Sequence, residues 1–234
     1  MATKRARFSL ILVALAAVSH DAQGQGGNGN PGVIPPGARY RGLTYGEWGT
    51  KWWQAAFALP VVNGDHPVIS GGAFRGDDGV MFLSQANGVG GTVTVELTIP
   101  SGTPLLVPVV NAECSTLEPP PFHGDDEASL RECANEALDN TSGWFAVIDG
   151  RPVNNLDAYR TDSPLFTFGP LPEDNLLGAP AGATSPSVDA GVYLLLTPLS
   201  VGQHVVRVGA TFPPNFGGTI VTTFKITVVP RGRS

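Results

Sequence analysis

Glu113 is the residue that the sequence places best for acid–base chemistry. It stands with Asn111 and Cys114 directly after the apolar run Leu105–Val110, where a buried strand meets a loop. A carboxyl in such a place loses water, which disfavours its charged form and brings it toward the range where it can give or take a proton. Hydrolysis or elimination on a carbohydrate would need a second carboxylate across a cleft, and Asp157 and Glu47 are the candidates. The competing assignment is local: Asn111 and Glu113 satisfy backbone donors beside a disulfide.

Aromatic side chains offer a different chemistry. Three of the four tryptophans fall in YGEWGTKWWQAAF. Trp48 and Trp52 lie on the main apolar stripe of that segment and suit a core, whereas Trp53 is off the stripe. Trp53, Trp144 and Tyr159 are therefore the candidates for stacking on a sugar ligand. His123, Asp125, Asp126 and Glu127 form a loose cluster of metal-type donors. They are too close along the chain to surround one ion without help, and acidic residues are also what a helix start prefers, so no metal or other cofactor is expected. Asp157, Tyr159, Arg160 and Asp162 suit a surface ion-pair network or a cleft wall. The chain has no Gly-x-Ser-x-Gly elbow, no His-Glu-x-x-His helix, no phosphate-binding Gly-Lys-Ser/Thr loop and no dinucleotide fingerprint.

The elements that must position these residues are mostly strands. Thr44 and Glu47 form a capping box ahead of Tyr45, Trp48, Trp52, Ala55, Ala56 and Leu59, which share a helical face until Pro60. Val93, Val95, Leu97 and Ile99 alternate with Thr92, Thr94, Glu96 and Thr98, which is a half-buried strand. Further strands are expected over 80–84, 105–110, 144–148, 165–168, 193–196, 202–212 and 220–229. A loop of about 20 residues rich in Pro, Gly, Ala and Ser precedes Tyr193. A short helix after Asp125 or Asp126 puts Leu130, Cys133, Ala137 and Leu138 on one face. The fold class is mainly β: an antiparallel β-sandwich, immunoglobulin-like or jelly-roll-like, with two short helices.

Composition agrees, since 42% hydrophobic residues supply a core while 30 Gly and 21 Pro supply turns. Residues 1–24 have the form of a secretory signal peptide: Lys4, Arg5 and Arg7, an apolar run from Phe8 to Val18, then Ala22-Gln23-Gly24. Residues 25–39 read as a flexible leader and 40–230 as a single sandwich domain. Export makes a Cys114–Cys133 disulfide the expectation, worth on the order of 3 kcal/mol in the chain-entropy model. Without residues 1–24 the charge balance is 11 Lys and Arg against 19 Asp and Glu, or −8. That acidity, with no basic cluster, argues against nucleic acid, and no second apolar segment is long enough for membrane insertion.

The segments YGEWGTKWWQAAFALP, VPVVNAECS, NLDAYRTDSPLF and GQHVVRVGATF with TTFKITVV together resemble a group of uncharacterised secreted bacterial proteins. The resemblance spans residues 43–229. It implies export from a bacterial cell and one domain, and it carries no activity, cofactor or catalytic residue. The expected function is a secreted, non-catalytic β-sandwich that binds an extracellular or cell-surface ligand, with polysaccharide as the first candidate. The alternatives are a carbohydrate-active hydrolase or lyase using paired carboxylates, and an envelope structural protein with a surface protein as partner.

Overall fold

The computed structural model describes residues 30–76, 78–87 and 90–232. The expected signal peptide lies outside them. Helix α1 (Tyr45–Phe57) begins as its sequence dictates: Thr44 Oγ1 accepts from the Glu47 N–H at 3.2 Å, and the Glu47 carboxylate accepts from the Thr44 N–H at 2.7 Å. Each bond satisfies a donor that the first turn leaves open. Thr44→Ala should therefore lower stability by about 1 kcal/mol, read from urea unfolding, with the sheet core untouched.

Helix α2 (Pro67–Ser70) is a single turn capped by His66, a third helix beyond the two expected. Helix α3 (Glu127–Asp139) starts at Asp126, whose side chain accepts from the Ser129 N–H at 2.9 Å. The acidic stretch before it is thus a helix start. Leu130, Ala134 and Leu138 form the buried face of α3. Cys133 and Ala137 lie at its margin, one position off the expected face, because the 3.6-residue period favours steps of four here.

Eleven strands follow in chain order among the described residues: β1 (Gly72–Arg75), β2 (Met81–Ser84), β3 (Gly91–Pro100), β4 (Leu105–Ser115), β5 (Ser142–Ile148), β6 (Arg151–Pro152), β7 (Arg160–Asp162), β8 (Phe166–Phe168), β9 (Ser185–Leu196), β10 (Gly202–Thr211) and β11 (Thr219–Val229). They form two sheets. One runs β1-β2-β4-β9-β7 with β8 also on β9, and the other β3-β11-β10-β5-β6. The molecule is a mainly β sandwich. Antiparallel pairing dominates, with parallel pairing at β2–β4 and β3–β11. The short turn 101–104 carries the chain from β3 in one sheet to β4 in the other. One core cluster holds residues of both sheets, including Leu106 and Leu194 from the first and Val206 and Phe224 from the second.

The site depends on the pair β4–β9, which runs from Leu105 opposite Leu196 to Ser115 opposite Ser187, with a bulge between Pro108 and Val110. Both strands exceed their expected ranges, 105–110 and 193–196. They are buried on both faces and carry Gly, Ser, Asn and Asp within the run, so no period-2 pattern marks their ends. Helices α1 and α3 pack on this pair. The Cys114–Cys133 disulfide, with its Cα atoms 6.1 Å apart, fastens α3 to the end of β4.

Within the expected leader 25–39, residues 32–34 pair with the sheet in this structure. Val33 is buried and bridges Leu196, and the Ile34 N–H donates to the Leu195 carbonyl at 2.8 Å. An apolar Val-Ile pair among glycines and prolines is enough to dock the segment. No helix among the described residues is long and apolar enough to cross a membrane.

Candidate functional site

Residues directly opposite in an antiparallel pair project to one face. Glu113 faces Asp189 in this way, and Ser115 faces Ser187. Cys114, which projects to the opposite face, is tied to α3, so the face carrying Glu113 and Asp189 is the one that α1 covers, and it is polar. Three of its members, Ser115, Ser187 and Asp189, are fully buried, and Glu113 is 4% exposed.

Two linked clusters satisfy these groups. In the first, the carboxylate of Asp189 accepts from Trp53 Nε1 at 2.8 Å and from the Tyr193 hydroxyl at 2.8–2.9 Å, while Asn111 Nδ2 donates to that hydroxyl at 3.1 Å. Ser163 holds the Asp189 backbone on both sides: its Oγ accepts from the Asp189 N–H, and its own N–H donates to the Asp189 carbonyl, each at 2.8 Å. Burial pushes the Asp189 carboxyl up to about 7, against the lowering effect of the Trp53 and Tyr193 hydrogen bonds. Burial, with Asp189 beside it, likewise drives the Tyr193 hydroxyl far above its ordinary value.

In the second cluster the Ser187 hydroxyl donates to Glu113 Oε1, and Glu118 comes within hydrogen-bonding reach of Glu113. A tight turn brings Glu118 back: its carboxylate accepts from the Ser115 hydroxyl at 2.9 Å, and its N–H donates to the same oxygen at 3.3 Å. Burial first, and then the Glu118 charge, raise Glu113 well above the carboxylate range; burial also raises Glu118. Two buried carboxyls side by side disfavour joint ionisation, and this adds to burial in raising Glu113.

This pair opens onto a groove of about 1060 Å³ between α3, the 115–123 turn, the β10–β11 connection and the loop before β9. Trp53, Phe57, Val110, Leu176, Phe212 and Ile220 give it apolar walls. Phe122 and Phe216, with ring centroids 5.6 Å apart, meet edge to face and both line it. Glu132 and Glu136, one turn apart on the exposed side of α3, add two carboxylates. Neither lysine nor arginine lines the groove among the described residues. Its volume is at the upper end of small-ligand pockets, and its mixture of apolar wall and few polar groups is typical of a binding site.

The structure separates the residues singled out from the sequence. Glu113 lies at the floor of the groove. Glu47 is a half-buried capping residue paired with Arg39 at 3.3 Å, and hydrogen bonds from Thr44 hold it below the ordinary carboxylate range. Asp157 is exposed on a single 3-10 turn (Leu156–Tyr159). Neither lines the groove with Glu113, whereas Glu118 does.

Among the aromatics, Trp53 lines the groove but is only 8% exposed, stacked on Phe57 at 5.3 Å and tied to Asp189. Tyr159 is buried edge-on against Tyr45 at 5.7 Å. Trp144 is half-buried on β5, with Nε1 donating to Thr141 Oγ1 at 2.7 Å. Trp144 and Tyr159 are not groove residues, so the three aromatics do not form one platform. Burial of their faces follows from the helix and loop packing that each of them anchors. Arg160 reaches α3, donating to Asn135 at 2.8 Å and pairing with Asp139 at 2.5 Å. No group of three or more His, Cys, Asp and Glu among the described residues is arranged to hold a metal ion.

No family model matches the chain, and no curated protein matches it. Two solved structures share part of its course. One is described as PbICP-C in complex with falcipain-2, at 10% identity and a TM-score of 0.24, covering 60% of this chain and 92% of that one. The other is the cysteine protease inhibitor EhICP2 from Entamoeba histolytica, at 14% identity and a TM-score of 0.19, covering 58% of this chain and 93% of that one. At these scores the likeness is to part of a β-rich chain trace, and what the chain binds has to be argued from the groove itself.

Proposed function

We propose that this is an exported, non-catalytic binding protein whose ligand seats in the groove between α3 and the β10–β11 connection. The observation that carries this reading is the groove: about 1060 Å³, apolar-walled, and fastened open on one side by the Cys114–Cys133 disulfide. The disulfide also supports the export that residues 1–24 suggest, because such bonds persist in oxidising compartments.

Hydrolysis is a second reading, and the Glu113–Glu118 pair is the observation that favours it. A shared proton between two carboxyls is one way to activate water. Glycosidic cleavage, however, needs carboxyls about 5–9.5 Å apart on either side of the bond, whereas Glu113 and Glu118 interact side by side at one end of the groove. Binding is the better account.

The test presents the protein with insoluble polysaccharides and with an immobilised library of short peptides. Retention is measured together with newly released sugar ends and peptide N-termini. Retention without release is expected, falling at least ten-fold in Ala137→Trp, which fills the groove from the margin of α3. Release that vanishes in Glu113→Gln would replace binding by hydrolysis. Retention that Ala137→Trp leaves unchanged would move the site elsewhere on the sandwich.

A further inference from the structure

The groove's charge is one-sided from rim to floor. Glu132 and Glu136 are exposed on α3, Glu118 is half-buried on the 115–123 turn, and Glu113 is almost wholly buried on β4. His123, the one other titratable side chain among the groove residues, is held by the Glu118 carbonyl at 2.8 Å and by Asp125 at 3.2 Å. The nearest arginine on α3 is turned away: Arg131 pairs with Glu127 at 2.6 Å and donates to the Ser163 carbonyl at 2.9 Å. Among the described residues, the carboxylates of the groove therefore have no lysine or arginine beside them to neutralise them.

Such an arrangement is stable only at a cost, because like charges along a low-dielectric wall repel one another. The cost disappears when a ligand brings the missing cation. The walls between the carboxylates are apolar and aromatic, so the cation must be carried on an apolar body. Two adjacent carboxyls at the floor match a planar group with several N–H donors better than a point charge, and Trp53 and Phe122 offer ring faces and edges nearby.

Building on the binding reading above, we propose that the groove recognises a peptide segment in which an arginine is flanked by apolar side chains, the guanidinium meeting the Glu113–Glu118 pair. Glu132 and Glu136 steer the cation in from the rim. The apolar flanks rest on the walls formed by Phe57, Val110 and Ile220.

The test uses three capped tripeptides, acetyl-Leu-Arg-Leu-amide and its counterparts with norleucine or glutamate in the middle, titrated calorimetrically into the purified protein. The arginine peptide should bind at least ten-fold more tightly than the norleucine peptide, and the glutamate peptide most weakly. Glu118→Gln should cut the arginine-over-norleucine ratio about ten-fold. The exposed pair Glu132→Gln/Glu136→Gln, which leaves buried packing alone, should cut it about three-fold. A ratio near one in the wild type, or a ratio that both variants leave unchanged, overturns the proposal. If the norleucine peptide still binds and Ala137→Trp abolishes that binding, the groove remains the binding site and the cation requirement alone is wrong. If none of the three binds, the arginine proposal falls, and the binding reading is decided by retention on the polysaccharide and peptide supports.

Discussion

Asp189→Asn is expected to remove most of the loss of stability that the wild type suffers as pH rises from 5 to 8. The carboxyl of Asp189 has an ordinary value of 3.8 and is pushed up to about 7 by burial in the folded protein. An acid whose folded value is raised is held in its neutral form by folding. Its contribution is complete below about pH 4, where the unfolded chain is also protonated, and is lost as pH rises through about 7. The gap corresponds to about 4 kcal/mol, an order-of-magnitude figure for a group this deeply buried. Asparagine cannot ionise, still accepts from Trp53 Nε1, and so abolishes this part of the slope. Glu113 and Glu118 are raised for the same reason and leave a residual fall of the same sign. His66 works the other way. Burial lowers its value, so its contribution is present above about pH 6.5 and lost as pH falls. Comparing wild type with Asp189→Asn cancels the His66 effect, while Glu113, which the Asp189 charge helps to raise, adds to the difference with the same sign. Urea unfolding at pH 5 and pH 8 supplies the comparison, and equal falls in both proteins would show that Asp189 is ionised in the fold without penalty.

That prediction concerns a residue the sequence does not single out, and the reason is physical. Asp189 lies inside SPSVDAGVYLLL, a strand buried on both faces, where neither alternation nor a helical period marks a polar residue as special. Ahead of it the chain is rich in Pro, Gly and Ala, which reads as loop until the partner strand is known. Glu118 is hidden differently. It stands among prolines five residues beyond Glu113, and only the Ser115 hydroxyl, bonded to both its N–H and its carboxylate, shows that the chain doubles back. Glu113 is legible because it directly follows an unbroken apolar run. The Thr44–Glu47 box, the alternation in β3 and the β10–β11 pair are legible because their signals are local. The groove itself is not, since it is made by four segments that are far apart in sequence and touch only in the fold.

Gly49→Ala separates local propensity from packing by the sign of its effect. In an isolated helix the change gains about 1 kcal/mol, because alanine is the better helix former. In this protein a Cβ at position 49 would lie 2.5 Å from Asp189 Oδ2 and 3.2 Å from the Tyr193 ring. Neither neighbour has room to move: both are fully buried and bonded to each other, and Asp189 is also held by Trp53 and Ser163. Gly46, one turn earlier, is equally close to the strand β7, with a Cβ 2.1 Å from the Asp162 carbonyl oxygen. At Gly46 and Gly49 helix α1 closely approaches β7 and β9, so with a Cβ at position 49 the helix has to lift or the Asp189 bonds have to break. Overpacking of this kind costs about 1–3 kcal/mol, and breaking a buried hydrogen bond to a polar group costs about 1–3 more. After the propensity gain, Gly49→Ala should destabilise by about 1–5 kcal/mol in urea unfolding at pH 5. Shortening the neighbour supplies the control. In an Asp189→Ser background the added Cβ has space, so the double variant should be more stable than the sum of the two singles by about 1 kcal/mol or more, the coupling expected of residues in direct contact. Strict additivity would mean that α1 rides higher on β9 than the close approach of Gly49 to Asp189 requires.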